Sequence, residues 1–117
     1  MINSDTQLID FQDFMKVEMH VGTIIAVEDF PKARKPAYKL TIDFGDVIGI
    51  KRTSAQITVL YNADTLMGRQ VIAVTNFPRK QIGTFFSEVL VLGSVDTEGV
   101  VTLLSVEQSV QNCLRIG

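Results

Sequence analysis

"AYKLTIDFG" (residues 37–45) alternates apolar and polar side chains: Tyr38, Leu40, Ile42 and Phe44 share one parity, and Lys39, Thr41 and Asp43 the other. A period of two puts the four apolar groups on one face of a pleated chain. The stretch therefore predicts a half-buried antiparallel strand. Gly45-Asp46 supplies a turn and "VIGIKRTS" (47–54) a partner, so 37–52 reads as a hairpin.

Working outward, "HVGTIIAVEDF" (20–30) is rich in β-branched residues, with Val21, Thr23, Ile25 and Val27 on one parity, which predicts a strand. Gly22 inside it marks a bulge or bend. In "FPKARKPAYKL" (30–40), Pro31 and Pro36 bracket four residues that include three cations, a loop held by two fixed φ angles. Upstream, Leu8, Ile9, Phe11, Phe14, Met15 and Val17 recur at near-helical intervals, with Asp10 or Ser4 as the cap. Downstream, "AQITVLYNADTLMG" (55–68) loses the alternation and predicts a short helix capped by Asn62 or Asp64 ahead of Gly68. Four consecutive apolar residues, Val71 to Val74, predict a strand covered on both faces and ended by Pro78. "FSEVLVLGS" (86–94) and "GVVTLLS" (99–105) form a second hairpin around Val95–Gly99, and the tail is less regular. Five or six short strands with two helical segments make a small closed or nearly closed β-barrel. Periodicity leaves an OB-fold and an SH3-like barrel both open.

A chain of 117 residues is one domain, 1–117, with a polar lead at 1–10 and an extension at 105–117. At this length roughly 60–70% of the unfolded surface is hidden on folding, enough for one core. Cys113 is the only cysteine and His20 the only histidine, too few for a zinc site, and an internal disulfide is excluded. There is no phosphate-binding loop, and Ser54 and Ser87 have no base nearby in sequence, so neither catalysis nor a cofactor or metal is expected. The start lacks the pattern of a signal peptide, and no apolar run approaches the ~20 residues of a membrane span. A cytoplasmic location without membrane insertion is expected.

The net charge of −2 conceals an asymmetry: residues 31–80 carry +6 and the remainder −8. A basic central half in an acidic chain is the footprint of a local site for an anionic ligand. Its cations include Lys32, Arg34, Lys35, Lys51, Arg52, Arg79 and Lys80. Phe85 and Phe86 are adjacent in a predicted strand and must face opposite ways, so at most one fills the barrel. Parity alone does not choose between them.

"FMKVEMHVGTI" (14–24), "SAQIT" (54–58), "QVIAVTNFPRK" (70–80) and "FFSEVLVLG" (85–93) follow the order and spacing of the tRNA-binding OB-fold domain, which also occurs appended to methionyl- and phenylalanyl-tRNA synthetases. With "IDFG" (42–45) and "IGIKRTSAQIT" (48–58), the stretch 11–117 resembles the stand-alone CsaA-type secretion chaperones of that family. The resemblance implies an all-β fold with short helices: a five-stranded OB-fold β-barrel with flanking helical segments and a C-terminal extension. It also implies a homodimer that binds tRNA or unfolded or preprotein peptides, or both, without catalysis. Asn76, Arg79 and Lys80 fall on the family's basic segment, and Ser87 on its Ser-Glu pair. Lys51 and Arg52 precede the segment holding Ser54 and Gln56. Two departures stand out: Glu18 and His20 replace a common Asp and Arg, and Phe86 replaces a common Lys. Nucleic acid would use the cations with Phe or Tyr38 as stacking partners; peptide or dimer contacts would use Phe77, Phe85 and Phe86. The alternative is a stand-alone structure-specific tRNA-binding protein with no chaperone role.

Overall fold

The computed structural model describes residues 6–117, and the alternative cap Ser4 lies outside them. The elements are α1 (Phe11–Met15), β1 (Met19–Asp29), β2 (Tyr38–Asp43), α2 (Gly45–Ile48), β3 (Ile50–Ala55), α3 (Ala63–Leu66), β4 (Gln70–Val74), β5 (Lys80–Ile82), β6 (Phe85–Ser87), β7 (Leu90–Val91), β8 (Gly93–Val95) and β9 (Val101–Leu103). Five strands form an antiparallel sheet in the order β3-β2-β1-β4-β7. Its two ends meet: the Thr53 hydroxyl donates to the Val89 carbonyl at 2.7 Å, and the Glu88 amide to the Arg52 carbonyl at 2.8 Å. The result is a nearly closed five-stranded barrel of the OB type, as the resemblance implied.

Alternation in β2 does what its period requires. Leu40, Ile42 and Phe44 are buried with Ile24, Leu66, Val71 and Ala73 in the barrel core, while Tyr38 packs at its margin. The hairpin is present, but a short helix replaces the tight turn: Asp43 caps the Gly45 amide and α2 intervenes before β3. The bulge in β1 falls at Ile25, not at Gly22. It switches the parity, so Val21 and Ile24 are buried and Ile25 is exposed. Gly22 instead marks a close approach, because a Cβ there would lie 2.6 Å from Phe44 Cδ1.

Val71 to Val74 are all buried, as a strand covered on both faces should be. That strand stops at Val74, four residues before Pro78, because Thr75 and Asn76 turn to bond the chain at Lys16 and Glu18. The one strand expected across 86–94 is three. β6 pairs with β5, β7 with β4 and β8 with β9, so each short piece answers a different neighbour as the chain bends around the barrel. The hairpin expected around Val95–Gly99 is there, its turn held by Asp96 accepting from the Glu98 and Val100 amides. Asn62 caps α3 through a capping box with Thr65.

The irregular tail is ordered by the sheet. The Cys113 amide donates to the Val21 carbonyl at 2.8 Å and the Val21 amide to the Leu114 carbonyl at 3.0 Å, while the Gln70 side chain bonds both backbone groups of Val110. At the other terminus, Asp10 caps α1, yet none of that helix is buried. No helix of the described residues is long and apolar enough to cross a membrane.

Candidate nucleic-acid interface

The loop between β1 and β2 closes on itself: the Phe30 amide donates to the Ala37 carbonyl at 3.2 Å, and the Ala33 amide to the Phe30 carbonyl at 3.1 Å. Between its two prolines it holds Lys32, Arg34 and Lys35 opposite β5. A cleft of about 590 Å³ opens between them, with Phe30 and Ala37 among its walls, Ser54 on β3 and Gln56 just past its end, and Lys80 with Gln81 on the far side. No carboxylate among the described residues lines this cleft. Among the described residues Lys32, Arg34, Lys35 and Lys80 have no ion pair, so their charge is uncompensated. Six residues singled out from the sequence thus meet in one place. Four free cations and two neutral hydrogen-bonding side chains suit a polyanion.

Other candidates are held differently. Arg52 donates from Nη2 to Glu28 at 2.9 Å across β2, and Lys51 lies 3.8 Å from Glu88, which also accepts from the Arg52 amide. These half-exposed pairs are worth no more than about 1 kcal/mol each, so an incoming anion can exchange them. The Ser87 hydroxyl lies 2.8 Å from that of Thr53 and accepts from the Ser54 amide, joining β6 to β3. Asn76 lies outside the cleft; its amide donates to the Lys16 carbonyl at 2.7 Å and accepts from the Glu18 amide at 3.0 Å. Tyr38 is half-buried and its hydroxyl donates to the Tyr61 carbonyl. His20 is buried, its Nδ1 2.8 Å from the Thr75 hydroxyl.

The structure separates the two adjacent phenylalanines. Phe85 is 6% exposed and packs with Phe30 and Ala37 in a satellite cluster outside the barrel core, whereas Phe86 is 37% exposed. Arg79 stacks on Phe86 at 4.3 Å beside a hollow of about 410 Å³ that Lys39, Arg52 and Glu88 also line. Lys39 sits over both Phe30 and Phe85, at 4.7 and 5.2 Å, and Arg52 covers Phe85 at 4.9 Å. On the opposite side of Lys80, Phe77, Pro78, Val89 and Leu90 line a mainly apolar pocket of about 350 Å³. Lys80 and Ser87 border that pocket too. Sequence reasoning passed over Phe30, Lys39 and Glu28 as site residues. The polar parity of β2 was the available signal for Lys39; nothing local announces that Glu28 reaches Arg52.

Residues 19–115 match the family model for the tRNA binding domain, tRNA_bind. The chain belongs to that family. Among solved structures, this tRNA-binding domain is similar to the chaperone CsaA from Bacillus anthracis, with 44% identity and a TM-score of 0.90 over 95% of this chain and 100% of that one. The CsaA chaperone protein from Picrophilus torridus is 49% identical, with a TM-score of 0.87 over 94% and 100% of the respective chains. Among curated proteins, the methionine–tRNA ligase of Methanocaldococcus jannaschii is 32% identical over a 108-residue alignment that covers 88% of this chain. The domain spans only 15% of that ligase's length.

Proposed function

We propose that the chain is a non-catalytic cytoplasmic binding protein, a CsaA-like export-related chaperone that takes tRNA and unfolded or preprotein peptides on one basic, partly aromatic OB-fold surface. The observation that carries this reading is the acid-free cleft of Lys32, Arg34, Lys35 and Lys80, which adjoins an apolar pocket through Lys80. Cations without partners release counterions when they meet phosphates, and an apolar pocket beside them accepts a hydrophobic side chain of an extended peptide. A homodimer fits the N-terminal flank, where Leu8, Ile9, Phe11, Met15 and Val17 are all exposed within ten residues.

Titrating labelled tRNA and an unfolded peptide at ~50 and ~300 mM salt tests the reading. With four phosphate contacts, tRNA affinity should fall with log salt at a slope of about −3, taking the single-strand coefficient. Peptide affinity should persist or strengthen. An RNA affinity unmoved by salt would sink the phosphate-contact model. Salt-sensitive tRNA binding with no peptide affinity would favour the stand-alone tRNA-binding protein without a chaperone role.

A further inference from the structure

Beside the cleft, Phe30 and Phe85 wall a second hollow of about 170 Å³, too small for a base pair and large enough for one base. Lys32 and Lys39 line it, and among the described residues no acid does. The two rings meet edge to face at 5.3 Å, and the Lys39 ammonium is the group lying over both. At the rim, Gly83 turns the β5–β6 hairpin at φ 63°, with open space where a Cβ would be.

An aromatic wall with two cations at its edge matches the two halves of a nucleotide, a planar base and a phosphate. We infer that this hollow takes one unpaired nucleotide extruded from a folded RNA, its base against Phe30 and Phe85 and its phosphate on Lys32 and Lys39. The inference rests on the tRNA-binding function proposed above and assigns the kind of RNA position that is read: a loop, bulge or end, where bases can leave the stack. In the free protein Lys39 covers both rings and Arg52 covers Phe85. Three cation–aromatic contacts at a factor of about 2–5 each together match the factor of about 5–150 from a stacked base, so the phosphate held by Lys32 and Lys39 supplies the surplus. The displaced Lys39 ammonium finds its new partner in the phosphate of the same nucleotide.

An RNA hairpin carrying 2-aminopurine in its loop, compared with the same hairpin carrying it in the stem, tests this with the intact 117-residue chain. The loop reporter should change emission on binding and the stem reporter should not. Phe30→Leu should abolish the change and weaken loop-RNA binding by about 5- to 150-fold. Lys39→Gln, which keeps the side-chain stem, should reduce the salt slope by about 0.7 and carries the test if Phe30→Leu fails to fold. Equal emission changes in loop and stem, or unchanged responses in the variants, with tRNA still bound, would overturn the nucleotide site and leave the RNA function standing. Failure of the wild-type protein to bind tRNA at either salt would remove both.

Discussion

At Lys80 and Arg52, two cations of equal formal charge have different surroundings. Among the described residues Lys80 has no ion pair and lines a cleft without acids, while Arg52 is bonded to Glu28. Lys80→Ala should therefore weaken tRNA binding more than Arg52→Ala does, measured by titration at ~50 mM salt. Equal losses would mean that the Glu28 pair opens at negligible cost. The double change Arg79→Ala with Lys80→Ala should spare peptide binding; loss of both ligands with the fold intact would show overlapping sites. Asn76 illustrates a residue whose side chain is committed to the fold, bonding Lys16 and Glu18 on the other side of the chain. Asn76→Ala should cost about 0.5–1.5 kcal/mol in urea unfolding, since it removes two exposed hydrogen bonds whose backbone partners water can satisfy. Gly22→Ala should cost about 1–3 kcal/mol, because the ring of Phe44 is fully buried and cannot retreat from a new methyl group.

Among the elements, the loop between β1 and β2 concentrates positive charge. Its three cations are surface groups without ion pairs among the described residues, so replacing Lys32, Arg34 and Lys35 together with Ala should leave the unfolding midpoint nearly unchanged. The same triple variant should flatten the salt dependence of tRNA binding by about 2 units of slope. An unchanged slope would place the phosphate contacts elsewhere. The elements also show where local pattern suffices. β2 was legible because one face is core and the other is not, so its sequence repeats the environment. The chain from Phe85 to Val95 was not, because three successive pieces pair with three different strands. An apolar run records burial but not a change of partner. The helical spacing before β1 was read correctly as a helix, although its apolar residues face outward rather than into the barrel.

For the whole molecule, the exposed apolar flank at α1 bears on assembly. Sedimentation at micromolar concentration should give the mass of two chains, and Leu8→Ser with Phe11→Ser should shift it to one without loss of the barrel's far-ultraviolet signature. A wild-type mass of one chain would overturn the dimer. Across the molecule, the sequence by itself determined the class of the fold and the concentration of positive charge between residues 31 and 80. Period-two alternation and local composition are properties of neighbours along the chain. Only the tertiary structure decided that Phe85 turns inward and Phe86 outward, and which cations remain free. Glu28 meets Arg52 because β2 lies between their strands, 24 residues apart in sequence. Periodicity specifies the face on which a side chain lies, and pairing across the sheet specifies what it meets there.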